Sequence, residues 1–266
     1  MIFPAISRVD CIVVEGADAR RFAQAQFAGD VDALAPGHWQ WNAWLDARGR
    51  VQALMHLADV AGGGLLAVLR GGDAKAIHGT LSRYLLRTRA NLGVRTFTGR
   101  RGGPVPMSTV RMEADQIVLG YGTRSLRLDR DAAASDPEVQ STWRLDDIRA
   151  GWPHLPDRGP PFLPPALGLE HLGAVSFDKG CYPGQEIAAR LHYLGGHKQR
   201  LCHLRGPAPL SVGEVRNADG TPNAWILAVV AVQEDTVEAL AIIPGNADHE
   251  ISILGTSFII HMKFDP

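Results

Sequence analysis

Cysteine is scarce in this chain: Cys11, Cys181 and Cys202 are the only three in 266 residues. So few, so widely scattered, do not make a disulfide framework. With no C-x-x-C pair, neither a zinc site nor a self-contained cysteine-ligated cluster is expected, and no metal ligands are assigned. An excess of either charge is missing as well. The 27 basic and 28 acidic residues nearly cancel, which argues against a broad, sequence-independent nucleic-acid surface and leaves room only for a local patch. No apolar run approaches the length of a membrane span, so no membrane association is expected. The opening residues Met1-Ile2-Phe3-Pro4-Ala5 lack the basic segment and long apolar core of a secretory signal. The expected compartment is the cytoplasm.

What is present suits a globular protein with a substantial core, at 45% hydrophobic and 21% charged residues. Residues 11–14 read as a buried strand. Asp18 then reads as the N-cap of a helix that stops at Gly29. Alternation predicts a strand over 51–57, a turn at Gly62-Gly63-Gly64 and another strand over 65–69. Asp73 caps a second helix, with Ile77, Leu81, Tyr84 and Leu85 on its stripe. Short strands are expected around 116–121 and 124–129 and a short helix around 143–148. A stiff run follows, with prolines at 153, 156, 160, 161, 164 and 165. From Lys198 the texture changes to strands without helices, over 201–204, 225–232, 237–243 and 257–262, which suggests a small β-barrel. The fold class is therefore α+β, with one region over residues 1–197 and a C-terminal β-barrel over 198–266.

The densest chemistry lies in Asp178-Lys179-Gly180-Cys181-Tyr182-Pro183-Gly184-Gln185-Glu186. Gly180 and Gly184 allow backbone angles that other residues avoid, and Pro183 fixes one between them. Ile187-Ala188-Ala189-Arg190 opens a helix, which puts Gln185 and Glu186 in its first turn, where the helix end favours an anion or thiolate. Lys179 would add a positive charge near the sulfur. Cys181 is thus the candidate nucleophile, redox thiol or transient metal ligand. A lone cysteine is more often an inert apolar residue, Tyr182 a packing residue, and Lys179 and Arg190 solvated charges. Gathered at this spacing, the functional reading is the stronger. His171, His192 and His197 are the nearest candidates for a base, although sequence alone puts none of them against the sulfur. A second constellation, Arg83, Arg87, Arg89, Arg95, Arg100 and Arg101, would suit carboxylates or phosphates, with a solvated face as the ordinary alternative.

The string K-G-C-Y-x-G-Q-E, followed by Ala189-Arg190, resembles the signature of the YgfZ-type folate-binding proteins, relatives of the glycine-cleavage T-protein (aminomethyltransferase). Three stretches agree in order. Arg21-Phe22-Ala23-Gln24-Ala25-Gln26 with Gly29-Asp30-Val31 resembles the F-x-Q-x-Q-x-x-x-D-V element. Trp44-Leu45-Asp46-Ala47-Arg48-Gly49-Arg50-Val51 resembles the L-D-x-x-G-R-V turn. Ala150-Gly151-Trp152-Pro153, with Phe162-Leu163-Pro164, resembles the A-G-[ILV]-P and F-x-P stretch, Trp152 departing from the usual aliphatic residue.

The resemblance implies the T-protein folate-binding fold, with two intertwined α+β subdomains in the first region and parts that ring a central ligand hole. It implies tetrahydrofolate or a folate derivative as cofactor, with Cys181 and Lys179 as the reactive pair. Trp44, Asp46, Arg48, Gly49, Tyr182, Gln185, Glu186 and Arg190 would be cofactor-binding. A folate-sized pocket is expected from parts of 22–30, 44–53 and 150–190. The implied partners are iron–sulfur enzymes or assembly proteins, with tRNA involved indirectly through its modification. Two departures weigh against an aminomethyltransferase. The stretch Gly49-Arg50-Val51-Gln52-Ala53 lacks the acidic pair, and Ile148-Arg149-Ala150-Gly151 lacks the glutamate of an L-R-x-E-A-G-like element. The rivals that remain are a folate-dependent one-carbon transferase with a rearranged acid, and a folate- or RNA-contacting module without chemistry.

Overall fold

A computed structural model describes residues 3–60, 64–157, 159–217 and 219–264. Eight strands of the first half form one antiparallel sheet: β1 (Ala5–Glu15), β2 (Trp39–Leu45), β3 (Val51–Asp59), β4 (Leu65–Leu69), β5 (Asn91–Gly102), β6 (Val110–Glu113), β7 (Gln116–Gly120) and β8 (Ser125–Asp129). Their spatial order is β2-β3-β4-β1-β5-β8-β7-β6. Period-two alternation explains its two dry faces. From β3, Ala53, Met55 and Leu57 enter a core with Phe22 and Phe27, under the helices α1 (Ala19–Gln26) and α2 (Ala74–Leu81). Leu54 points the other way, into a core shared with Trp39, Trp41, Ile148 and Leu240. That second core joins the sheet to α3 (Pro137–Arg149) and to the C-terminal strands.

Helix caps divide cleanly. Asp73 accepts from the backbone N–H groups of Lys75 and Ala76 at 2.8 and 3.2 Å, as its sequence position implies. Asp136 does the same for α3, whose first residue, Pro137, needs no donor. Asp18 does not cap α1. Its carboxylate takes the backbone N–H of Arg89 at 2.8 Å and the Arg89 guanidinium, stapling the helix start to the loop before β5. Gly62 and Gly63 of the expected turn lie outside the described residues. Gly64 is left-handed, and a Cβ there would stand 2.6 Å from the carbonyl oxygen of Val14.

The C-terminal strands are β9 (Gln199–Pro207), β10 (Gly213–Arg216), β11 (Pro222–Gln233), β12 (Thr236–Pro244), β13 (Glu250–Ile253) and β14 (Thr256–Lys263). They make one antiparallel sheet in the order β10-β11-β12-β9-β14-β13. Of the expected small β-barrel the described residues show a curled sheet, with no ladder joining β10 to β13. A side chain bridges part of the gap: Asn223 of β11 donates to the Ser252 carbonyl of β13 at 2.7 Å. Leu204, Ile226, Ala239 and Phe258 fill the concave side.

Candidate functional site

The cysteine motif is a loop that ends in α4 (Gln185–Leu194). Cys181 is exposed, whereas Cys11 and Cys202 are buried in their sheets. Burial, with Asp10 nearby, pushes the Cys11 thiol far up and leaves it inert. The exposed sulfur sits in a frame fixed on several sides. Gly184 is left-handed at φ 78°, and a Cβ there would lie 2.4 Å from the Asp46 carbonyl oxygen and 2.8 Å from Gly49 Cα. Gly49 (φ 73°) returns the contact, since a Cβ there would meet Ile187 at 2.9 Å. Two motifs far apart in sequence therefore interlock through their glycines, at a separation no side chain permits.

Lys179 completes the frame by reaching backwards. Its ammonium donates to the carbonyls of Gln24, Phe27 and Gly29 at 2.6, 2.7 and 3.0 Å. An ammonium has three donors, and all three are used. The acceptors are carbonyls in and just beyond the last turn of α1, which lack helical partners and carry the negative end of its dipole. Burial pulls the ammonium down to about 8, with Asp30 and Asp32 opposing. Lys179 thereby holds the loop to α1. Tyr182 is buried and donates to the Ser176 carbonyl at 3.0 Å, with burial raising its phenol to about 12. Gln185 donates to the Lys179 carbonyl at 3.4 Å, while Glu186 and Arg190 are exposed on α4.

The remaining sequence candidates are placed as follows. Asp46 organises its own turn, accepting from the backbone N–H groups of Arg48 and Arg50 at 2.8 and 2.9 Å. Arg48 is exposed at the tip of that turn. Trp44 is buried on the α1/α2 side against Tyr84, ring centroids 6.3 Å apart, and its indole N–H has no partner. Of the six arginines, Arg89, Arg100 and Arg101 are paired with Asp18, Asp129 and Asp146, while Arg83, Arg87 and Arg95 point to solvent.

A cavity of about 460 Å³ lies where β1, β3, α3 and the second sheet meet, and none of those candidates lines it. Arg70 and Arg124 both grip Asp147 from α3, at 2.8 and 2.5 Å, all three nearly inaccessible. Burial alone would push the Asp147 carboxyl up, yet Arg70, His154 and Arg124 overcome it and hold the group well below the usual carboxylate range. Beside this triad, His56 Nδ1 shares a 2.7 Å hydrogen bond with Tyr121, and its ring is surrounded by Trp39, Trp41 and Trp152. Burial and Arg70 keep His56 neutral, and its Nε2 has no partner among the described residues. Arg144 and His154 stand exposed among the lining residues. Sequence reasoning missed this site because its members come from β3, β4, β7–β8 and α3, with no local motif. The one usable signal was Trp152, standing where the resembled pattern has an aliphatic residue.

No family model matches the chain. It is 28% identical over 209 residues to an uncharacterised protein of Haemophilus influenzae, covering 75% of this chain and 71% of that one. With the tRNA-modifying protein YgfZ of Sodalis glossinidius it shares 26% identity over an alignment of 293 residues, 96% of this chain and 86% of that one. The YgfZ of Escherichia coli O127:H6 gives 25% over 264 residues, 84% and 79%. Among solved structures, the glycine cleavage system aminomethyltransferase T from Bartonella henselae superposes over 97% of this chain and 84% of its own, with TM-score 0.71 and 14% identity. The fold is that of the T-protein. No described helix is long and apolar enough to cross a membrane.

Proposed function

We propose that this chain, a relative of the YgfZ-type proteins, is a tetrahydrofolate-binding accessory protein of tRNA modification that supports iron–sulfur enzymes or their assembly through Cys181. The observation that carries this reading is the division of labour in the cysteine loop. Lys179, Tyr182, Gly184 and Gln185 all make contacts that hold the loop, and the sulfur is left exposed at its apex. A loop kept only for folding would not need so many fastenings around one accessible thiol.

The central cavity suits the folate. Pockets for ligands of that size run from roughly 300 Å³ upward and are mostly apolar with a few placed polar groups. Here the aromatic wall offers the rings of Tyr121, Trp152 and His56 to a flat heterocycle. Arg144 stands exposed for the carboxylates of a glutamate tail. When bound, tetrahydrofolate supplies a one-carbon acceptor or a redox-active ring. The residues themselves bind, orient and exclude water.

Glycine cleavage by this chain is disfavoured because Gln52, exposed on β3, occupies the stretch where aminomethyltransferases carry their acidic pair. The test is calorimetric titration with tetrahydrofolate. Saturable binding that weakens at least tenfold in His56→Leu supports the reading, and no heat from a verified folded protein refutes its folate half.

A further inference from the structure

A second depression, of about 620 Å³, lies on a different wall of the molecule, between the proline-rich loop, the segment after α4 and the start of β11. Its floor is the pair Phe162 and Trp225, rings edge to face with centroids 5.8 Å apart. Arg50, His197 and Lys198 stand around it, with Glu214 opposite. Two buried nitrogens there, Trp225 Nε1 and His197 Nδ1, have no hydrogen-bond partner among the described residues. Orphaned buried groups are rare in native proteins and call for an explanation.

The depression does not end at Arg50. Arg50 and Pro161 also line a shallow, open shelf formed with Asp46, Ala47 and Arg48. Arg50 gives one N–H to the Pro161 carbonyl at 2.9 Å, which fixes its guanidinium at the junction. Arg48 is exposed and its guanidinium forms no ion pair among the described residues. The same turn is the surface on which Gly184 rests, with Asp46 O and Gly49 Cα inside 3 Å of where its Cβ would be. Cys181 lies three residues from Gly184, at most about 11 Å along the chain. An aromatic pocket, a cationic shelf and the thiol loop thus follow one another across the surface.

We infer that this depression binds a nucleotide, its base in the pocket over Trp225 and Phe162 and its phosphate on Arg48 and Arg50. Every nucleobase has a flat face for an aromatic platform and an edge of donors and acceptors, while arginine grips phosphate bidentately. Glu214 accepts from a ring amine, its charge offset by Arg216 at 2.7 Å. The near-zero net charge of the chain fits recognition of one unstacked nucleotide better than a broad electrostatic footprint. The nucleotide comes either from RNA or from the free pool. The RNA source rests on the tRNA-modification reading above. The base-plus-phosphate chemistry does not.

The experiment is equilibrium binding of a short single-stranded RNA and of the four ribonucleoside 5′-monophosphates, to the full chain and to Trp225→Leu, Trp225→Phe and Arg48→Gln. The RNA is expected to bind saturably, about tenfold or more weakly in Trp225→Leu, with most of the loss recovered in Trp225→Phe. Arg48→Gln, on the exposed rim, should lower the salt slope of RNA binding by about 0.7. A monophosphate that binds as tightly as the RNA assigns the site to free nucleotides. Tetrahydrofolate affinity is measured on the same variants and should not change, which keeps this test separate from the folate one. Absence of saturable binding by every probe overturns the inference. So does binding indifferent to both Arg48→Gln and the Trp225 variants, or displacement of the nucleotide by tetrahydrofolate.

Discussion

The cysteine loop and the central cavity are built on opposite plans. In the loop the polar groups are consumed by the backbone: Lys179 serves three carbonyls, Tyr182 one, and Asp46 two amides of the neighbouring turn. The sulfur of Cys181 is left exposed. In the cavity the polar groups face each other inside an aromatic shell, with Asp147 between two arginines and one His56 nitrogen without a partner among the described residues. On the function proposed above, the first plan presents a reagent outward and the second receives a ligand inward. A short motif in sequence can encode the first, whereas only the assembled sheet can make the second.

The sharpest way to break the cavity is Asp147→Asn. It leaves Arg70 buried without its counter-charge and Arg124 with only the longer contact to Asp146 at 3.5 Å, and removal of one partner of a buried pair costs about 3–5 kcal/mol. Urea unfolding should register that loss, and a change under 1 kcal/mol would contradict the triad's role. The same group sets an acid limit. Its folded carboxyl lies below the value in the unfolded chain, so its stabilisation is fully present above about pH 4. That contribution is lost only as pH falls through the depressed folded value, which a pH series of unfolding midpoints for parent and Asp147→Asn should resolve.

A smaller effect tests the frame of the loop. Gly184→Ala forces a side chain into backbone atoms at a left-handed position, for an expected loss of about 1–3 kcal/mol. Because the clash falls on the Asp46–Gly49 turn, alkylation of Cys181 should also change rate while Cys11 stays unreactive. An unaltered stability and rate would mean that the two glycines are not interlocked in solution.

Much of the secondary structure was legible. The strands over 51–57, 65–69 and 237–243 obey alternation or continuous burial, and Asp73 announces α2 through its cap. What escaped has physical reasons. β5, with three glycines and three arginines in twelve residues, has no apolar rhythm, since its stability comes from β1 on one side and β8 on the other. Trp39–Leu45 did carry a strand signal, Gln40 and Asn42 alternating with Trp39, Trp41 and Ala43, but it went unread beside the turn motif that overlaps its end. The cysteine motif marked the loop, but the bonds by which Lys179 and Tyr182, with Asp46 of the adjoining turn, fasten the frame run to backbone partners that no side-chain pattern displays. The cavity was invisible because Arg70, Arg124 and Asp147 meet across 77 and 23 positions of chain.

The central claim is that the loop exists to present one working thiol. Cys181→Ala removes an exposed sulfur and should change stability by less than about 0.5 kcal/mol. The most direct measurement is complementation of a strain lacking its own YgfZ-type protein, scored by thiolated-tRNA content, with the variant's folded abundance checked in the same cells. The account predicts rescue by the parent chain and by Cys202→Ala, and failure of Cys181→Ala. Full rescue by Cys181→Ala at equal abundance would contradict it.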